Sequence, residues 1–146
     1  CARSRRKPLA ATRMAAAKAW SLWEARCATL HPSHDIMEQF TDLHNATAIA
    51  RIEAHYFVNH AFIAENQILA NAHQLRGIPG IIVHGRYDML CRPEAAVALQ
   101  CAWPDAELHI VREAGHAASD PGITDALIRA TRDMARLLSG DTESAG

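Results

Sequence analysis

The sequence predicts an α/β fold, with a small parallel sheet in the C-terminal half and a helical region before it. The run Gly80-Ile81-Ile82-Val83-His84-Gly85 is apolar, β-branched and closed by a glycine turn, and Glu107-Leu108-His109-Ile110-Val111 repeats the device. Short runs of this kind read as buried parallel strands. Between them, Pro93 to Cys101 reads as a helix opened by an early proline, which is the connection a parallel pair requires. Upstream of Arg76 the apolar residues recur at helical spacing instead, so a boundary is expected there, between residues 1–75 and 76–146.

Taken in order, Leu9 to Leu30 is alanine-rich and carries Trp20, Trp23, Cys27 and Leu30 at spacings of three and four, which predicts one long helix with an aromatic stripe. His31-Pro32-Ser33 breaks it, and Ser33 is placed to cap a short turn. A second helix is expected from about Thr41 to Val58, with Tyr56 and Phe57 in its core. A third, shorter one is expected from Glu65 to Leu75. Gly77 and Pro79 then stop the helix and lead into the first strand. A final amphipathic helix is expected over Ile123 to Leu138, with Ile123, Leu127, Met134, Leu137 and Leu138 on its apolar face. Ser139 to Gly146 reads as a polar tail.

A chain of 146 residues with 49% hydrophobic and 21% charged residues has the composition of one soluble domain with a core. Its net charge of −1 gives no electrostatic case for binding nucleic acid or an acidic membrane. The one basic cluster, Arg3-Ser4-Arg5-Arg6-Lys7, reads as a chain end or linker, and no apolar signal region follows it. No run approaches the roughly 20 apolar residues of a membrane span. Cys1, Cys27, Cys91 and Cys101 form no C-x-x-C pair, which fits reduced thiols and a cytoplasmic setting.

The chemistry-bearing residues gather after the two strands. The first strand delivers Asp88 at its carboxyl end and the second delivers Gly115-His116, on the edge where open α/β sheets carry their sites. An aspartate there either orients a histidine or bonds its own turn, and both readings stand at this point. Cys91, three residues on, falls beside the pair and reads as packing rather than chemistry. His31 with His34 and His55 with His60 match no metal-binding helix pattern, so neither a metal nor a cofactor is expected. On periodicity alone Glu24 and Glu53 are solvated helix residues.

An Asp loop followed by a Gly-His loop resembles the second half of an α/β-hydrolase, whose triad runs Ser, then Asp or Glu, then His. The likeness narrows with Gly85-Arg86-Tyr87-Asp88, Ala102-Trp103-Pro104, Ala114-Gly115-His116 and Pro121-Gly122-Ile123. Trp20-Ser21-Leu22-Trp23-Glu24 and Arg51-Ile52-Glu53 add to it upstream. Together these segments, from about Ala10 to Leu138, resemble proline iminopeptidases. That resemblance implies a helical cap over residues 1–75 and the C-terminal part of an α/β-hydrolase core over 76–146. It makes Asp88 and His116 the catalytic acid and base, and makes Glu24 and Glu53 ligands for the free amino group of a peptide beginning with proline.

No serine stands in a G-x-S-x-G context among Ser4, Ser21, Ser33, Ser119, Ser139 and Ser144. The expectation is therefore a C-terminal fragment of a serine exopeptidase, inactive by itself. Two other readings remain: a fragment of an esterase or epoxide hydrolase of the same fold, and a non-catalytic remnant.

Overall fold

The computed structural model describes residues 6–140, with side chains from residue 10. Cys1, the start of the basic cluster and most of the polar tail lie outside the described residues. The chain divides into two compact units, Cys1–Cys27 with His31–Glu65, and Ala28–Leu30 with Asn66–Gly146.

The second unit carries the sheet. Strand β1 (Gly80–Gly85) pairs in parallel with β2 (Ala106–Val111), in a register from Gly80 opposite Ala106 to Gly85 opposite Val111. Among the described residues these two strands are the whole sheet. The crossover between them is a helix, Pro93–Ala102, with proline at its first position, where a missing N–H costs nothing. Both strands pack against this crossover helix and against the last helix, Pro121–Ser139.

Two tight fits fix the start and end of β1. Gly77 turns the chain with a left-handed φ of 79°, and its N–H donates to Asp105 Oδ2 at 2.8 Å. The indole N–H of Trp103 then donates to the Ile78 carbonyl at 2.9 Å, and the ring occupies the space a Cβ on Gly80 would need. At the other end, Gly85 lies directly against the Ala114 and Gly115 carbonyls.

The last helix corrects one expectation. Its buried residues are Ile123, Ala126 and Ala130, while Leu127 and Leu137 are exposed. The buried stripe is displaced toward small residues because alanine lets the helix backbone approach the strands closely, which leucine at the same positions would prevent.

The first unit holds α1 (Arg6–Ala28) except its last residue, Ala28, together with α2 (His34–Thr41) and α3 (Leu43–Val58). Ser33 caps α2, its Oγ accepting from the Ile36 N–H. The helix expected from about Thr41 starts at Leu43, after Asp42, whose Oδ1 accepts the N–H groups of His44 and Asn45 at 3.1 and 3.0 Å, while the short turn expected after Ser33 is the full helix α2. A side chain that satisfies two orphan donors favours a new helix start over continuation.

Beyond α3 the chain makes a single 3-10 turn, His60–Phe62, in which all three residues have positive φ. Left-handed backbone costs a non-glycine residue roughly 1–2 kcal/mol. Opposing that cost, the Phe62 ring sits 5.3 Å from the His55 ring and 5.6 Å, edge-on, from Tyr56. Tyr56 and Phe57, expected in the core, are exposed, as is Ile52. The apolar residues of α3 cover more of its circumference than one partner can bury. The expected helix over Glu65–Leu75 appears as a short helix, α4 (Gln67–Asn71), and a 3-10 turn, Ala72–Leu75. Both pieces pack on the crossover helix and belong to the second compact unit.

Gly85→Ala is expected to lower stability by about 1–3 kcal/mol, the usual cost of forcing a methyl into filled space. Urea unfolding followed by far-ultraviolet circular dichroism checks it; an unchanged midpoint means the 114–115 turn recoils freely.

Candidate active site

The end of β1 delivers a four-residue turn whose backbone is stitched to the turn after β2. Arg86 N–H donates to the Val111 carbonyl at 2.9 Å and Tyr87 N–H to the Ala114 carbonyl at 3.0 Å. The second turn is held from its far side, where the Ala28 carbonyl accepts the N–H groups of His116 and Ala117 at 2.8 and 2.7 Å. Asp120 stands at the cap position of the last helix yet bonds none of that helix's N–H groups with its side chain. Its carboxylate instead accepts the Gly115 N–H at 3.0 Å. Backbone donors from both turns therefore position the histidine before its side chain makes any bond.

Across this seam Asp88 and His116 meet, with Nδ1 of the imidazole 2.9 Å from Oδ2 of the carboxylate. Asp88 is buried, whereas the His116 side chain is 41% exposed. The other carboxylate oxygen, Oδ1, accepts the N–H groups of Leu90 at 3.0 Å and Cys91 at 2.7 Å. Asp88 therefore makes both kinds of bond. It bonds its own turn with one oxygen and orients the histidine with the other.

Burial is the largest single influence on the Asp88 carboxyl and pushes its pKa up. The Cys91 N–H, the His116 side chain and the Leu90 N–H, with the charge of His116, outweigh it and hold the carboxyl below its ordinary value. An ionised carboxylate at Nδ1 keeps the Nδ1–H tautomer and leaves Nε2 as a base. This pair can accept a proton from a nucleophile and return it to a leaving group.

One neighbour of the pair was not predicted, and a second, expected beside it, differs in its exposure. His84 lies on β1 with its Nε2 2.9 Å from the Cys91 carbonyl and 3.6 Å from Asp88 Oδ2. Its position in an apolar strand run gave no sign of this, because the turn folds the chain back onto the strand end. Cys91, read as packing, is exposed, and its thiol pKa is raised by burial and by the negative charge of Asp88. A donor atom from each of Asp88, Cys91 and His116 falls within 4.8 Å of the others, a cluster that histidine spacing alone could not reveal.

The two glutamates belong to the first unit. Glu53 on α3 accepts the Trp20 indole N–H at 2.7 Å, and the Trp20 ring lies 6.1 Å from that of Phe57. Glu24 is on α1, four residues beyond Trp20 and hence about 6 Å further along the helix axis. Both are half-buried rather than fully solvated, so periodicity alone misjudged their exposure.

Because the folded-state pKa of Asp88 is depressed, its contribution is fully present above the ordinary carboxylate value and is lost as pH falls through the folded value. Asp88→Asn, which keeps the shape of the turn, is expected to cost roughly 1.5–3 kcal/mol at neutral pH, the worth of a charge-assisted hydrogen bond. The difference from the native protein should shrink steadily on acidification below the ordinary range. Urea unfolding at a series of pH values reads both; a gap that widens in acid contradicts the assignment.

No family profile matches the chain. Curated proteins do. It is 51% identical over 126 residues to a proline iminopeptidase of Xanthomonas citri, covering 86% of this chain and 40% of that relative. A proline iminopeptidase of Xylella fastidiosa is 49% identical over 122 residues, covering 83% of this chain and 39% of the relative. One from Arabidopsis thaliana is 43% identical over 125 residues, covering 85% and 33%. The chain spans two fifths or less of the length of these curated relatives. By this likeness, which extends over most of its own length, the chain is a relative of the proline iminopeptidases.

Proposed function

We propose that this chain contributes the acid and base of a serine exopeptidase that releases proline from the N-terminus of peptides. The observation that carries the proposal is the 2.9 Å approach of His116 Nδ1 to a buried Asp88 carboxylate, in a chain whose relatives are named proline iminopeptidases. The parallel strand–helix–strand unit supports an α/β-hydrolase core, with both residues on the turns that follow the strands.

In this reaction His116 Nε2 takes the proton of a serine hydroxyl as the oxygen attacks the prolyl carbonyl. The imidazolium, stabilised by Asp88, then returns the proton to the departing amine, leaving a prolyl ester on the serine. Water repeats the sequence, giving up a proton to the same imidazole and releasing free proline. The nucleophile and the oxyanion donors belong to sequence that this chain does not contain. That assignment is supported by the relatives' greater length and by the lack of any G-x-S-x-G here.

The first unit serves as the cap. An N-terminal proline presents a secondary ammonium, which needs negative charge and hydrogen-bond acceptors once it leaves water. Glu24 and Glu53 supply both, and the Trp20 indole holds one oxygen of Glu53 in place. A neutral ester or epoxide offers nothing for these carboxylates to bind. We place the enzyme in the cytoplasm, in keeping with the free thiols of Cys27, Cys91 and Cys101.

Two measurements on the full-length protein test this reading. Asp88→Asn is expected to lower turnover of a proline amide by about four orders of magnitude, since the histidine is then held in the wrong tautomer. Near-normal turnover moves the triad acid elsewhere. Glu24→Gln or Glu53→Gln is expected to remove roughly 2–5 kcal/mol of charge pairing with the amine. That corresponds to about two to three orders of magnitude in kcat/KM for a proline amide at the middle of the range. A neutral ester cleaved by the same pair should be nearly unaffected, so the ratio of the two substrates is decisive. Equal losses on both substrates make the glutamates structural instead.

A further inference from the structure

Asp88, Cys91 and His116 combine a carboxylate oxygen, a thiol and an imidazole nitrogen, all within 4.8 Å of one another. We propose that this triangle is a binding site for one zinc-like divalent cation, held by Asp88 Oδ2, Cys91 Sγ and His116 Nδ1, with water completing a tetrahedral shell. Oxygen, sulfur and nitrogen are the three ligand types Zn²⁺ accepts, and three protein ligands with an open fourth position is a common zinc arrangement.

The scaffold is prepared for it. The two turns are bound to each other through Tyr87 N–H and the Ala114 carbonyl, so the carboxylate and imidazole are already adjacent. The N–H groups of Leu90 and Cys91 engage Oδ1 and leave Oδ2 facing the imidazole, a second tier of bonds that orients a metal ligand. His84, through its bond to the Cys91 carbonyl, braces the residue that carries the thiol. Cys91 and His116 are exposed, which gives the ion a path of entry.

Binding involves no redox step. The thiol gives its proton to water, and the imidazole proton moves from Nδ1 to Nε2. The oxygen and nitrogen then part from 2.9 Å to the roughly 3.3 Å that two ligands subtend on a tetrahedral zinc ion, while a rotation of Cys91 brings in the sulfur. The bound ion takes both members of the acid–base pair out of use. Its inhibitory consequence rests on the function proposed above; its binding does not.

The test is titration of Co²⁺ into the purified full-length protein, followed by the thiolate-to-cobalt charge-transfer band and reversed with Zn²⁺. One equivalent should bind with that band. Cys91→Ser should abolish the band and weaken Zn²⁺ binding by at least about tenfold, the smallest loss seen even for outer-tier partners. Asp88→Asn should weaken binding to a similar degree while the band persists, and Cys101→Ser should change neither. Circular dichroism of each variant separates loss of ligand from loss of fold. A native protein that shows no charge-transfer band, or a band that survives Cys91→Ser, overturns the proposal. No turnover is measured, so failure of the peptidase reading leaves this result intact.

Discussion

The Asp88 carboxylate is the constraint on which the rest of the site depends. It is nearly out of water, yet it stays ionised because three donors converge on it from two different turns. Each donor has a separate structural role. The Leu90 and Cys91 N–H groups fold the chain back after β1, and the His116 ring joins that turn to the one after β2. A buried carboxylate is tolerated only when its bonds are this complete. The closure of the two loops and the ionisation of the aspartate are therefore one event.

The first unit is held in a different way. Its buried residues are small, Ala17, Ser21, Ala25 and Ala46, while Trp20, Trp23, Ile52 and Phe57 are exposed. Alanine burial removes little apolar surface per residue, so hydrogen bonds at element ends carry more of the specification. Ser33 and Asp42 define helix starts, and the Trp20 indole ties α1 to α3 through Glu53. The same bond that joins the helices also fixes a carboxylate.

How much of this was legible depended on whether the signal was local. The strands, the proline-opened crossover helix and the Asp and Gly-His turns follow from β-branched runs and turn chemistry within a few residues, and they appear where expected. The start of α3 behind Asp42 was legible within two residues, but α2 was not, because a stretch of eight residues after the His31-Pro32 break reads as a capped turn. The exposure of Phe57 and the burial of Ala126 in place of Leu127 depend on how closely helices approach, which spacing does not encode. His84 and Cys91 acquire meaning only once the turn brings a strand residue against its own loop.

The turn carrying His116 is packed backbone against backbone. The Ala114 and Gly115 carbonyls fill the space beside Gly85, and a Cβ on Gly115 would come within 2.9 Å of the Ala28 carbonyl oxygen. In an ordinary core the damaging change is truncation, because removing methylenes leaves a cavity. Here there is no side chain to truncate, and damage comes only from growth. A larger residue at Gly85 or Gly115 can be accommodated only by moving the chain opposite. Substitutions that enlarge this seam act on the histidine's position without touching its ring, so the site is specified as much by missing atoms as by the functional groups themselves.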